Sequence, residues 1–423
     1  MTPQELIVYP ITALFILALS ASLAVRLYLS RRQLRAARAH RERVPAPFAE
    51  VIDAAAQRKA ADYTIARVRL GALETLIDTL WVLYLTLGGG IAALDAGWRH
   101  TGWPELWSGV GTVASVVLLS ALVSLPFSLW STFRIEAAFG FNRTTPRLFF
   151  TDRLKGLLLA TVLGLPLLLG ALLLMQRAGP AWWLFAWLAW LAFSTLLTWA
   201  WPALIAPLFN RFTPLNDAAL RGRIEALLER CRFASRGVFV IDGSRRSAHG
   251  NAYFTGLGRN KRIVFFDTLL QTLEPTEIEA VLAHELGHFR LRHTLQRLLV
   301  SAASALAMLA LLAWLARRPW FYVGLGVPTP SAHAALLLFL LVTPAFTYFV
   351  TPLAAWWSRL HEFAADRFAA RYADAAALAR ALIKLYRDNA SLLTPDELHS
   401  AFYDSHPPAL ARIAALRALK PQR

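Results

Sequence analysis

The stretch Ala280-Val-Leu-Ala-His-Glu-Leu-Gly-His-Phe289 places His284, Glu285 and His288 in the pattern H-E-x-x-H. In a helix, residues four apart share a face, so the two imidazoles could close on one metal ion. Two neutral imidazole nitrogens suit Zn²⁺, and Glu285, adjacent in the chain, is placed to take a proton from metal-bound water. The chemistry this spacing points to is metal-assisted hydrolysis. Taken alone, the pattern is also compatible with a solvated helix carrying ordinary surface residues.

Zinc catalysis needs a third protein ligand and an open fourth position. A histidine ten residues after the first, with a glycine between, is one known source. Here those positions hold Thr294 and Leu291, which excludes that arrangement. His293 falls nine residues beyond His284, round the far side of the helix, and reads as a surface or second-layer histidine. The segment Ser358-Arg-Leu-His-Glu-Phe-Ala-Ala-Asp-Arg-Phe368 supplies an alternative, with Glu362 and Asp366 one helical turn apart. Glu362 can ligate, and Asp366 can accept the other ring N–H of a ligating histidine and fix its tautomer. An acidic face pairing with Arg359 and Arg367 fits the same pattern.

These groups must be carried by a helix, and the local sequence supports one. Pro275 suits a first helical turn, Glu274, Glu277 and Glu279 complement the positive end of the macrodipole, and no further proline follows before Arg297. The wider setting is a membrane. Hydrophobic residues make up 57% of the chain and charged residues only 17%, well below the quarter typical of soluble domains. Cys231 is the single cysteine, which excludes a disulfide framework and a cysteine-based zinc site. The net charge of +17 comes from basic residues that mostly flank apolar segments, as membrane topology requires, so no nucleic-acid partner is expected.

Apolar runs at residues 6–29, 76–94, 109–129, 156–175, 181–206, 298–315 and 332–354 predict seven transmembrane helices. The first lacks a basic start and a small-residue cleavage site, and reads as a retained helix rather than a signal peptide. Residues 30–74 carry ten Lys/Arg against five Asp/Glu, and 131–155 carries Arg134, Arg143, Arg147, Arg153 and Lys155. The positive-inside rule makes these loops cytoplasmic, putting the N-terminus outside and the C-terminus in the cytoplasm. Arg317 and Arg318 break the rule weakly.

The expected fold class is mainly α: a polytopic membrane protein with a cytoplasmic zincin-like α/β part. Residues 1–206 form five membrane helices and 207–297 the soluble part with the H-E-x-x-H helix. Residues 298–354 form helices six and seven, and 355–423 the C-terminal helices with the third ligand. Within the soluble part, Leu220, Ile224, Leu227 and Leu228 form one helical stripe over 217–232. A strand is expected at 237–241, and runs at 251–256 and 262–266 read as a hairpin.

Further stretches complete a pattern: His249-Gly-Asn-Ala-Tyr-Phe254, residues 261–270, 362–366, Ser405-His-Pro-Pro-Ala-Leu-Ala-Arg-Ile413, residues 206–215 and Phe139-Gly-Phe-Asn142. With 281–288 they resemble, in order and over nearly the whole chain, the type I CAAX prenyl endopeptidases, seven-span zinc metalloproteases that trim prenylated proteins. The resemblance implies one Zn²⁺ bound by His284, His288 and Glu362, with Glu285 as general base. It implies that Asn251, with Ala252 and Tyr253, holds substrate backbone as an added strand, and that His406 and Arg412 sit near the reacting carbonyl or behind it. It also implies a ring of seven helices around a chamber. The substrate would be a peptide or lipidated protein tail, presented from the bilayer. The Ala/Leu/Arg-rich usage points to a bacterial chain of the inner membrane; a eukaryotic one would reside in the endoplasmic reticulum.

Three other readings are open to the same residues. An intramembrane protease would place H-E-x-x-H inside an apolar span, whereas here Glu277, Glu279, Arg290, Arg292 and His293 flank it. A four-span quality-control protease shares the motif but would not have five spans before it. A transporter with a structural zinc site would need an ion pathway, and the first five spans hold few charges.

Overall fold

The computed structural model describes residues 5–233, 235, 237–255 and 262–419. Among the described residues, six helices are long and apolar enough to cross a membrane, or seven if one bent pair counts as a single span. Their large apolar side chains point outward: in Pro146–Arg177 only 6% of the most apolar window is buried, and Leu157, Leu158 and Val162 are exposed. A surface of this kind is stable only against lipid.

Two expected boundaries shift. The basic segment 30–74, read as a loop, is mostly helix, because Glu5–Ala39 and Ala54–Leu85 extend through it and leave only a short connection. Its Ala, Leu and Arg content favours helix, and being long and basic does not oppose that. The second span, expected over 76–94, is broken instead. Ala54–Leu85 and Gly90–His100 meet at a 50° bend. Gly89 takes the left-handed conformation there (φ 78°), and Gly326 closes on the break so tightly that a Cβ would lie 2.3 Å from the Thr86 carbonyl oxygen. The apolar content of 76–94 was legible, but the three consecutive glycines within it set the turn.

The part carrying H-E-x-x-H is built on a four-stranded sheet among the described residues, in the order β1-β2-β4-β3, with β1 Phe212–Pro214, β2 Val238–Ile241, β3 Ala252–Thr255 and β4 Arg262–Phe266. β3 and β4 pair antiparallel, Tyr253 opposite Val264, as the hairpin reading expects. The connection expected at 257–261 lies outside the described residues. β3 occupies the edge of the sheet. The helix Ala218–Arg230 buries Leu220, Ile224, Leu227 and Leu228, the expected stripe, against Ile263 and Phe265 of β4 and Ile278, Leu282 and Leu286 of the H-E-x-x-H helix.

That helix spans Pro275–Arg290. Glu277 accepts the Glu274 backbone N–H at 2.9 Å, closing a capping box, and is held by Lys384 at 2.8 Å. Glu279 is bound by Arg223 and Arg230. The next crossing helix, His293–Leu315, begins two residues after Leu291. The last one, Ala332–Tyr372, is a single apolar-to-polar rod, so the seventh span runs directly into the segment carrying Glu362. The third-ligand candidate is therefore fixed to the membrane part by continuous helix.

Candidate metal centre

The helices Pro275–Arg290 and Thr351–Tyr372 cross face to face, and Gly287 sets how closely. A Cβ there would lie 3.1 Å from Ala365 Cα and Phe368 Cβ, so a larger residue would wedge them apart. With glycine, His284 and His288 meet Glu362. The three are buried or half-buried, and their ligand atoms lie within 4.8 Å of one another. The two Nε2 atoms are 3.3 Å apart. His284 Nε2 is 3.4 Å from Glu362 Oε2, and His288 Nε2 is 3.4 Å from Oε1. Four ligands at about 2.05 Å around a tetrahedral ion stand about 3.3 Å from each other. The three distances observed are close to that figure, with the two histidines meeting different oxygens of the Glu362 carboxylate. Glu362 Oε2 is, moreover, a buried oxygen with no hydrogen-bond partner, Arg412 Nη2 standing 3.7 Å away, and such an oxygen is stabilised by a bound cation. Donor set, spacing and the orphaned oxygen all fit a zinc ion.

The outer contacts are also in place. His284 Nδ1 lies 2.8 Å from Asp366 Oδ1. Arg412 grips the same carboxylate with both arms, donating from Nη2 to Oδ1 at 2.7 Å and from Nε to Oδ2 at 2.8 Å. Burial works against the charge on Arg412, but the hydrogen bonds and charge of Asp366 outweigh it and raise its pKa. Burial likewise opposes a proton on His284, and the Asp366 and Glu362 carboxylates reverse the balance. Burial pushes the Glu285 carboxyl up, against the pull of His284 and His288. His406 is different. Its side chain is 66% exposed and its Nε2 stands 3.6 Å from Glu362 Oε2, on the open side of the cluster.

Asn251, Ala252 and Tyr253 lie apart from this cluster, at the start of β3. Asn251 turns its Oδ1 back to the Ala252 N–H (2.8 Å), and its carbonyl accepts from Phe266. β3 touches the H-E-x-x-H helix, and its outer edge has no strand partner among the described residues. Asn251 and Tyr253 also line a cavity of about 1080 Å³.

Of the two positions read for His293, surface or second layer, it takes the second, and His361 was left without a reading. His293 is buried, with Nδ1 3.0 Å from His288 Nδ1, and His361 stacks on it at 4.0 Å. The nine-residue spacing signals no such contact, because the turn at Leu291 and Arg292 (φ 59°) swings His293 back. Tyr386, from the helix Ala375–Asp388, also went unread; burial raises its pKa, and its hydroxyl interacts with Arg412.

A bundle of membrane-spanning helices that presents H-E-x-x-H and a facing glutamate beside a small sheet defines a multi-span membrane metallopeptidase. Residues 214–420 match peptidase family M48, and residues 33–211 match the CAAX prenyl protease N-terminal region with its five membrane helices. The chain is 34% identical to the CAAX prenyl protease 1 homolog of Oryza sativa subsp. japonica, over 92% of this chain and 93% of that one. It is 31% identical to the CAAX prenyl protease 1 homolog of Homo sapiens, over 93% and 92%. The crystal structure of S. mikatae Ste24p superposes with a TM-score of 0.87 at 30% identity, covering 98% of this chain and 99% of that one. The chain belongs to the CAAX prenyl protease 1 family within M48, and is a multi-pass membrane metalloendopeptidase. The family implies a metal ion, typically zinc.

Proposed function

We propose that this protein hydrolyses a peptide bond in prenylated CAAX-type tails, with one zinc ion held by His284, His288 and Glu362. The observation that carries the reading is the convergence of His284, His288 and Glu362, whose ligand atoms stand 3.3–3.4 Å from one another, with His284 facing one carboxylate oxygen and His288 the other. When bound, zinc supplies a Lewis acid that polarises a carbonyl and makes water acidic near neutral pH.

The chain's own groups do the rest. Glu285 takes the proton of the attacking water and returns it to the leaving amine. Its raised pKa suits both transfers. Asp366 holds the His284 ring through Nδ1, and Arg412 holds Asp366, so Arg412 is a positioning residue. His406, open to the cleft, donates to the carbonyl oxygen as charge develops there. The free edge from Asn251 through Tyr253 takes the substrate backbone as an added strand.

The catalytic part is cytoplasmic in this reading, and the N-terminus is outside. Arg143 donates its backbone N–H to Arg246, and Asn142 bridges Ser247, so the basic 131–155 segment packs on the catalytic part. Arg417 donates to the Pro47 carbonyl within the other basic segment. Both basic segments lie on the site's side, where the positive-inside rule puts the cytoplasm. The domain limits at 206, 297 and 354 follow from the same topology.

The test is cleavage of one CAAX peptide with and without its isoprenyl group, by purified full-length protein in detergent, with Glu285→Ala as control. Cleavage of the prenylated form, lost in the variant, is expected. Equal cleavage of both forms removes the prenyl specificity, and cleavage of neither removes the substrate class.

A further inference from the structure

The cavity beside β3 contains two arginines that differ in what they hold. Arg246 is committed: it binds Asp152 through Nε (2.8 Å) and Nη2 (3.1 Å), and Asn210 through Nη1 (3.0 Å). Arg67 is not. It donates from Nη1 to Tyr63 Oη at 3.3 Å, lies near the Tyr63 ring, and has no described carboxylate within ion-pair distance. Glu136, whose carboxylate feels the Arg67 charge, is bound by the Tyr63 hydroxyl at 2.5 Å and faces His249 Nε2 at 3.5 Å. Arg67 therefore lines the cavity with one of its five donors in a described hydrogen bond.

The direction of a bound tail can be worked out. An extended peptide adding to the outer edge of β3 in the commoner antiparallel sense runs opposite to 252→255. Its C-terminal end then lies beside Asn251 and, beyond it, Gly250 and His249. These three residues line the same cavity as Arg67. A C-a-a-X motif lies at the very end of its chain, so its free carboxylate is no more than three residues from any bond cut within it. Three extended residues span about 10 Å.

We infer that Arg67, oriented by Tyr63, receives the C-terminal carboxylate of the substrate when the bond cut lies within the terminal motif. The inference rests on the CAAX-tail reading above. A planar guanidinium with free donors matches a carboxylate bidentately, which an amide cannot reproduce.

The experiment uses full-length protein in detergent and one farnesylated CAAX peptide made as free acid and as C-terminal amide. The wild type should favour the acid by about tenfold or more in kcat/KM. Arg67→Gln should bring that ratio close to one, and Arg67→Lys should retain part of it. Because the ratio is internal to each preparation, partial misfolding of a variant cancels. Equal rates on acid and amide in the wild type overturn the role of Arg67 and leave the protease intact, as does an Arg67→Gln variant slowed equally on both. Cleavage of neither peptide overturns the CAAX-tail reading, and this inference with it.

Discussion

Two buried histidines in this chain sit against an aspartate that is itself bound by an arginine. At one end of the last crossing helix, His333 Nε2 lies 2.8 Å from Asp95 Oδ1, and Arg99 donates to Asp95 Oδ2 at 2.8 Å. On the order of 50 Å further along the same rod, His284 meets Asp366 and Arg412 in the same order. The first set closes on itself. Ser331 Oγ stands 3.1 Å from the same His333 nitrogen, and Gly109 packs on the ring so closely that a Cβ would be 2.6 Å from Nδ1. In the second, Nδ1 meets Asp366, and Nε2, with Arg412 Nη2 at 3.3 Å, also faces His288 Nε2 and a glutamate oxygen that has no hydrogen-bond partner. A buried His–Asp–Arg chain is therefore not in itself a mark of catalysis. What distinguishes the site is a donor left over and pointed at other donors.

Glu285→Ala should lower kcat by about a thousandfold or more while elemental analysis still finds zinc. Zinc-loaded variant that cleaves at the wild-type rate would sink the mechanism. Next, Glu362→Gln should lose both activity and metal, measured together after dialysis against a weak chelator; full zinc retention would mean the ligand is elsewhere. Asp366→Asn should cost about 10–100-fold in zinc affinity or activity, read by competition with a chromophoric chelator. Asn251→Ala removes one polar group from the strand edge and should cost about fivefold in kcat/KM, equivalent to about 1 kcal/mol. The matched change at the other end, Asp95→Asn, should leave turnover per folded molecule unaltered and destabilise the protein by a few kcal/mol, read as a lower melting temperature. A turnover defect there would mean the two ends are coupled.

The membrane and catalytic parts were legible to different degrees. Long apolar runs report a span directly, because a helix in lipid must be apolar for its whole crossing length; even so, the second span breaks at Gly88, Gly89 and Gly90. The stripe of Leu220, Ile224, Leu227 and Leu228 was readable because it has a period. Arg67 was not. It fell within a segment whose charge read only as topology, yet it lines the cavity beside β3.

The sequence by itself determined the paired histidines and the carboxylate pair one turn apart, since i, i+4 spacing is local helix geometry and survives any packing. It also determined that the chain lives in a membrane. Only the tertiary structure decided that Gly287 lets the two helices close, that Glu362 reaches both rings, and that Arg412 stands behind Asp366. Those contacts join residues far apart in the chain, and no local period encodes how two packed helices are turned toward each other.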